Sequence, residues 1–497
     1  MKGRTEEACN GGFSRRFVLF SKGGSKMSVE AGSEKKKRVK VPHTYVILIS
    51  VVILATVMTY ILPAGVYDRF KDERTGRTLV DALSYHHVDR TPVSIFKMFE
   101  SVPKGMKETA EIIFFIFICG GAFSIIQATG AIDGAIGKAV LGLKGKEKLM
   151  IPITLLIFSI GGATYGMAEE VIVFIPIGVA LARAVGYDDI VGVAILSTGA
   201  NIGFSGGTLN PFTVGVAQSI AELPLFSGLG LRFAGHVMLF VIACWYIMRY
   251  AAKIKADPTQ SIVYDLVESD PTRHTVTPDL PFTGVHKFVM LVILASFAYM
   301  IWGVMTQGFY IMELSTVFIA MGVIGGLVGR LAPSKMASAF VAGAKDIAFG
   351  ALVVGIARAI LVVMSQGQIV DTVIHALASW VAMLPGAMTA VGMFWVHVVI
   401  NFFIPSGSGQ AAATMPIMTP LADLVNITRQ TAVLAFQYGD GFTNQIIPTS
   451  AALMGVLGMA KMPYERWFKF IWPLMVFWIA AGSVMVFIAA VIEYGPF

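Results

Sequence analysis

Few residues in this 497-residue chain combine the type and the setting that chemistry needs. Glu169 and Glu170 close the stretch GGATYGMAEE (161–170), Arg358 lies within GIARAI, and Asp440 lies within QYGDGFTNQIIPTS (437–450). All four fall inside apolar surroundings, where an ionisable side chain costs about 2.5–3.5 kcal/mol on insertion scales and so calls for a partner or a function. Three acids at one site suit a ligand bearing one or two ammonium groups. Arg358 suits either the carboxylate of such a ligand or a fixed counter-ion role beside Glu or Asp, and the sequence leaves both open. Lys345 and Asp346 read as an interfacial pair at a helix end, and His397 as a packing histidine. The adjacent His86 and His87 lack a third ligand at metal spacing and read as solvated loop. There is no nucleophile with a base on adjoining helices and no Walker-type loop, which argues against an enzyme and against a nucleotide-driven pump.

The elements that must position these residues are apolar. Hydrophobic residues make up 56% of the chain and charged ones 14%, against roughly 25% charged in a soluble domain. Several apolar stretches reach the length of about 18 residues or more that crosses a hydrocarbon core of about 30 Å as helix. The chain therefore reads as an all-α polytopic membrane protein, and a soluble enzyme, a nucleic-acid-binding domain and a secreted disulfide scaffold are excluded. Nine crossings are expected near 44–63, 109–128, 189–216, 230–249, 288–305, 312–332, 346–365, 429–455 and 467–490. Two more blocks, 149–183 and 386–424, carry polar residues at their centres (161–170 and 404–414), the pattern of re-entrant helical hairpins. Each hairpin is followed by a span with a break, STGANIGFSGGTLNPFT (197–213) and QYGDGFTNQIIPTS (437–450). Glycines there let the backbone leave helical geometry, and Asn, Ser and Thr serve the groups that lose their helical partners. The half-helix N-termini so exposed can hold a carboxylate, while unwound carbonyls can hold a cation.

The formal charge of +7 is concentrated at one end. Residues 1–40 hold eleven Lys and Arg against four acids, so the rest of the chain balances to zero. This marks a basic, cytoplasmic, disordered leader rather than a nucleic-acid site. Its apolar run, Phe17 to Phe20, is too short for a signal peptide, and a start at Met1 or at Met27 leaves Lys35–Lys40 in place. With the N-terminus inside, the inner segments hold Lys138, Lys144, Lys146 and Lys148, then Arg249, Lys253 and Lys255, then Arg330, Lys335 and Lys345, then Lys461, Arg466 and Lys469. The outer loops 217–229, 306–311 and 366–385 hold no Lys or Arg. Cys9, Cys119 and Cys244 show no CxxC spacing and read as small hydrophobes.

The halves echo each other. His43, Gly65 and Tyr67 recur as His286, Gly308 and Tyr310, Lys107-Glu108 as Lys345-Asp346, Gly130 as Gly367, Pro176 as Pro416 and Gly199 as Gly439, at offsets of 237 to 243. Residues 41–250 thus form a first membrane repeat, 251–285 a cytoplasmic linker and 286–497 a second repeat. Residues 68–104 read as polar loop where the matching 311–340 holds an extra span, so the second repeat should be inverted relative to the first. Inverted repeats with interrupted helices are the pattern of secondary transporters, with the site near the midplane.

The opening VPHTYVILISVVILATVMTYILPAGVYDR, the GIARAI helix and PSGSGQAAATMPIMTPLADL followed by QYGDGFTNQIIPTS closely resemble the YfcC-type branch of the C4-dicarboxylate anaerobic carrier (DcuC) family, in the ion-transporter superfamily. The likeness covers about residues 38–497. It implies a homodimer in the bacterial cytoplasmic membrane, with a scaffold domain and a moving domain of two hairpins and two broken helices that work as an elevator. The branch includes carriers resembling arginine/ornithine exchangers, while the parent family is named for dicarboxylates. By position, Ser406, Ser408 and Gln410 would line the site opposite Glu169 and Glu170, with Asn201, Thr208, Asp440, Thr443 and Asn444 from the breaks and Arg358 or half-helix N-termini for a carboxylate. The tips ATYGMAEE and PSGSGQ depart from the Ser-Asn-Thr of superfamily relatives; a Na⁺ site would fall on Asn201, Ser205 and Asn444. The expected activity is exchange of a small, basic amino acid, the alternative a carrier of C4-dicarboxylates or other organic acids coupled to H⁺ or Na⁺. No cofactor, no resident metal and no nucleic-acid partner is expected.

Overall fold

A computed structural model describes residues 44–71, 78–132, 134–135, 147–268, 282–307 and 309–495. The basic leader, Lys138, Lys144, Lys146, Gly308 and residues 269–281 of the linker lie outside them. In chain order, α1 (Thr44–Ile61) leads into four short strands, β1 (Gly65–Val66), β2 (Arg69–Lys71), β3 (Thr78–Val80) and β4 (His86–His87). There follow α2 (Ile95–Glu108), α3 (Ala110–Ala128), α4 (Glu147–Tyr165), a 3-10 stretch (Glu169–Phe174), α5 (Ile175–Ala184), α6 (Asp189–Gly206), α7 (Val214–Ile220) and α8 (Leu229–Ala256). After the short α9 (Tyr264–Glu268) come α10 (Gly284–Gln307), α11 (Ile311–Val328), α12 (Pro333–Asp346), α13 (Ala348–Gln366) and α14 (Val370–Ala382). The chain closes with α15 (Ala387–Phe403), α16 (Gly407–Leu424), α17 (Arg429–Thr443), α18 (Ala451–Met459) and α19 (Tyr464–Val491).

Six of these helices, α3, α4, α8, α11, α13 and α19, are long and apolar enough to cross a membrane, and Tyr45–Ile61, Gly284–Met300, Val370–Ala382 and Ala387–Phe403 are shorter apolar helices. The protein is a multi-pass membrane protein. Helix is the form that a lipid-facing apolar segment can take, because it satisfies every backbone group internally. That requirement overrides the β-branched composition of α1, TYVILISVVILATVMTYI.

Lengths recur along the chain. A 14-residue amphipathic helix is followed, after one residue, by a 19-residue apolar helix at α2–α3 and again at α12–α13, and α8 and α19 have 28 residues each. The packing is exchanged between the pairs: α2 lies on α13 and α12 on α3. Both contacts rest on glycine. A methyl at Gly105 would come within 2.5 Å of the Gly355 carbonyl, and one at Gly343 would overlap the Gly120 carbonyl. Small residues at such crossings let backbones approach closely.

The polar segment after α1 is more ordered than a loop. β1 pairs antiparallel with β4, and β2 with β3. The segment is anchored by Asp371, which accepts from Arg69 Nη2 at 2.8 and 2.9 Å and from the Tyr67 N–H at 3.1 Å. Asp371 lies on α14, so residues 366–385 contain a helix where a plain outer loop was expected, and 68–104 contains strands and the start of α2. Asp346 ends α12 as expected, but its salt-bridge partner is Lys461 at 2.8 Å, because the chain there meets the turn after α18.

Candidate functional site

Two hairpins, α4 with α5 and α15 with α16, each pack against the helix that follows them. On the first, Gly162 and Gly203 put α4 and α6 in backbone contact: a methyl at Gly203 would overlap the Ser159 carbonyl and reach 2.5 Å from the Ala163 nitrogen. On the second, a methyl at Gly439 would overlap His397 Cβ and lie 2.9 Å from the Phe394 carbonyl. Most of the glycine in STGANIGFSGG therefore serves packing. Helix α6 runs unbroken to Gly206, and the chain leaves helical geometry at Gly207, with φ +56°. The breaks are the shorter segments 207–213 and 444–450.

Each break is stitched to its own hairpin. In the first, the Thr208 hydroxyl (3.2 Å) and the Leu209 N–H (2.9 Å) donate to the Ala163 carbonyl. In the second, Asn401 Nδ2 donates to the Asp440 carbonyl (2.7 Å), Thr443 Oγ1 (2.8 Å) and Asn444 Oδ1 (3.0 Å). The second break also touches α6 across the molecule, through the Gln445 side chain and the Ser197 hydroxyl at 3.2–3.3 Å.

Between the two tips lies a cavity of about 310 Å³. One wall is the first tip, Gly166 to Val171, with Glu169 and Glu170; the other is the second tip, Pro405 to Ser408. Both glutamates are half-buried, and Glu170 Oε2 accepts from the Ala168 N–H at 2.9 Å. Helix α6 contributes Asn201, whose buried Nδ2 has no partner among the described residues, and the second break contributes Asn444 and Gln445. Arg358 enters from α13, its Nε donating to Glu108 Oε2 at 2.7 Å. This ion pair lines the cavity and is partly exposed to it, at 38% and 46% of the two side chains. Arg358 is thus a counter-ion to an acid of α2 and also stands where a ligand carboxylate could displace that acid. Carboxylates here outnumber cationic side chains, Glu108, Glu169 and Glu170 against Arg358.

Of the site residues expected from sequence, Glu169, Glu170, Asn201, Arg358, Ser406, Ser408 and Asn444 meet at this cavity. Thr208, Gln410, Thr443 and Asp440 do not line it. Thr208 and Thr443 serve the stitches, and Gln410 donates to the His397 carbonyl at 3.0 Å. His397 is fully buried on α15, with its ring edge against Phe436, consistent with packing. Ser205, grouped with Asn201 and Asn444 as a cation site, instead faces Gly441 on α17. The three acids accordingly fall in two places: the glutamates line the cavity, and Asp440 is fully buried outside it. Reading the sequence also passes over Tyr310 and Glu108, which line the cavity from segments that look like loop or helix end. It passes over Arg232 and His236 as well, inside the 230–249 span. Arg232 is buried to 1% and donates to the Ser227 carbonyl at 2.5 Å, while His236 Nε2 sits 2.6 Å from Ser159 Oγ. Among the described residues no group of three or more His, Cys, Asp or Glu could hold a metal.

Comparison with known proteins adds the following. The family described as C4-dicarboxylate anaerobic carrier matches residues 41–491. The "Putative basic amino acid antiporter YfcC" of Escherichia coli K12 is 35% identical over 480 residues, covering 89% of this chain and 95% of that one. An uncharacterised protein of Haemophilus influenzae is 30% identical over 497 residues, covering 91% and 97%. The crystal structure of the Alcanivorax borkumensis YdaH transporter aligns with a TM-score of 0.39 and 15% identity, over 92% of this chain and 100% of that one.

Proposed function

Because the chain belongs to the C4-dicarboxylate anaerobic carrier family, whose members are transporters and not enzymes, we propose that it exchanges small basic amino acids across the membrane. The observation that carries this reading is the cavity between the hairpin tips. Glu169 and Glu170 suit ammonium groups, and Arg358, which lines the same cavity, suits the α-carboxylate once Glu108 yields it. At about 310 Å³ the space holds a ligand of amino-acid size. The name of the Escherichia coli relative points the same way. Nothing in this scheme needs a covalent step: binding, reorientation of the hairpin-bearing part and release suffice.

The test uses purified protein in proteoliposomes preloaded with labelled arginine. External arginine, ornithine or lysine should release the label, and C4-dicarboxylates should not. No release by any amino acid, together with exchange of a preloaded labelled C4-dicarboxylate, would establish the second reading, an organic-acid carrier, which the family description and Arg358 favour.

The reading extends to an elevator motion in a homodimer of the bacterial cytoplasmic membrane, N-terminus inside, with the hairpins entering from opposite faces. Cysteines at Ala168 and Ser408, both near the tips, should then be labelled preferentially from inside and outside respectively. Labelling of both from one face in every state sinks the inverted arrangement.

A further inference from the structure

The strongest electrostatic anomaly among the described residues is Asp440. It is fully buried on α17, and neither carboxylate oxygen has a hydrogen-bond partner among the described residues. Its own carbonyl is already taken by Asn401. Two fully buried hydroxyls nearby, Ser205 and Thr213, are unpartnered too. Ser205 packs on Gly441, next in chain to Asp440, so that a methyl at Gly441 would lie 2.5 Å from Ser205 Oγ. Thr213 and Asp440 both face Gly407: a methyl built there would overlap the Thr213 methyl and lie 3.3 Å from Asp440 Oδ2 and 3.5 Å from the Phe204 ring.

Gly407 and Phe204 line the cavity, whereas Asp440 and Thr213 do not. The carboxyl group is therefore one residue layer behind the second hairpin tip. We propose that Asp440 is a proton-carrying site, sealed by Gly407 and opened to cavity water when the tip moves. The inference rests on the carrier reading above and supplies its coupling step.

An ionised carboxylate in a water-poor interior needs hydrogen bonds or a counter-charge, and this one has neither. A proton on one oxygen removes the charge, and it arrives from water when the tip is open. On release, the carboxylate is left ionised beside Ser205 and Thr213, whose unpartnered hydroxyls are donors within the same packed layer. A hard metal cation would instead need a shell of several oxygens. The charged group facing this stretch of α17 is Arg232 of α8, a helix that meets α17 where Gly235 packs on Tyr438; Arg232 donates to the Ser227 carbonyl and not to Asp440, and the other facing groups are neutral. α15 offers His397, which contacts Gln410, and Asn401; α19 offers Trp478 and Gly482. The acids of α6 and α16 lie at the far ends of those helices, Asp189 paired with Arg183 and Asp423 with Arg429.

Infrared spectroscopy of the purified protein against its Asp440→Asn variant tests this without any substrate. The wild-type spectrum should hold a protonated-carboxyl band at neutral pH that the variant lacks. Ser205→Ala keeps the carboxyl and removes a donor to its ionised form, so its band should persist to higher pH. In proteoliposomes, an inward proton gradient should speed net arginine uptake several-fold in wild type and not in Asp440→Asn, while one-for-one exchange stays within about twofold. Absence of the band overturns the proposal, as does a variant that keeps its response to the proton gradient or loses a response to a Na⁺ gradient instead. If the band is present but wild type exchanges no arginine, the proton site stands and the amino-acid reading falls.

Discussion

The first hairpin with its broken helix and the second with its own share a frame and divide the chemistry. In both, an arm lies against the following helix on glycine contacts, and the break is tied back to the arm by side-chain hydrogen bonds. The differences are local. The first tip turns through a 3-10 stretch that begins with Glu169 and Glu170, and these face the cavity. The second tip has no charge; Ser406 caps α16, its hydroxyl accepting from the Gly409 N–H at 3.4 Å, and the acid nearest that tip is withdrawn into α17 as Asp440. Arg358 has no counterpart in the first half, where glycine near Gly121 holds its register. Similar packing frames are thus compatible with unequal sites, because packing depends on small residues at crossings while charge depends on single positions.

The largest effect expected from this comparison concerns the tips. Changing Glu169 and Glu170 together to Gln should lower affinity for arginine by about a hundredfold or more, since opposite charges at about 4 Å interact by about 4 kcal/mol at an effective dielectric near 20. Changing Ser406 and Ser408 together to Ala should cost only a few-fold. Half-saturating concentrations for exchange measure both. Equal losses would mean that the two tips contribute alike and that the charge asymmetry has no bearing on the substrate.

The next contrast concerns the crossings. Gly203→Ala drives a methyl into backbone, the Ser159 carbonyl and the Ala163 nitrogen, whereas Gly439→Ala meets the His397 side chain first and the Phe394 carbonyl at 2.9 Å. Overpacking costs about 1–3 kcal/mol, and the rigid backbone obstacle should put Gly203→Ala at the upper end. Thermal unfolding in detergent should therefore show a larger fall for Gly203→Ala than for Gly439→Ala. The reverse order would mean that α4 can shift more readily than His397.

These glycines also explain what was legible in the sequence. Apolar length located α1, α3, α11, α13 and α19 to within about four residues, because a membrane-crossing helix must be continuous and apolar, but it stopped short of the end of α8 and ran past the ends of α6 and α17 into the breaks. Glycine is ambiguous: Gly199 and Gly203 look like part of a break but are contact residues, and of the glycines in 197–213 Gly207 alone stands at positive φ. The helices α2 and α12 escaped because they are amphipathic and short, with Lys and Glu or Asp among their residues, so an apolar-length criterion reads them as polar segments. At the site, the residue types were visible but their grouping was not. Whether Asp440 joins Glu169 depends on which side of the second tip it lies, a matter of packing between residues about 270 apart. The Glu108–Arg358 pair was hidden for the same reason, its members being 250 residues apart.

The smallest expected difference lies in the stitches. The Asn401 amide nitrogen, fully buried, shares its two hydrogens among three acceptors at 2.7–3.0 Å, two at the end of α17 and one at the start of the second break. Thr208 makes one hydrogen bond, to a carbonyl that also accepts from the Leu209 N–H. A net hydrogen bond contributes about 0.5–1.5 kcal/mol, but a buried acceptor left without its donor costs about 1–3 kcal/mol. Asn401→Ala removes the donor shared by the Asp440 carbonyl, Thr443 and Asn444, whereas Thr208→Val leaves the Ala163 carbonyl with its backbone donor and keeps the side-chain volume nearly unchanged. Asn401→Ala should therefore lower stability by about 2 kcal/mol and Thr208→Val by no more than about 1 kcal/mol, read as shifts of the unfolding midpoint. Because one of the acceptors is the Asp440 carbonyl, Asn401→Ala should also disturb transport beyond its effect on stability, and Thr208→Val should not. If Thr208→Val proves as harmful as Asn401→Ala, the first break depends on that single hydroxyl more than its hydrogen bonds indicate, and the two halves are held together less differently than their side chains suggest.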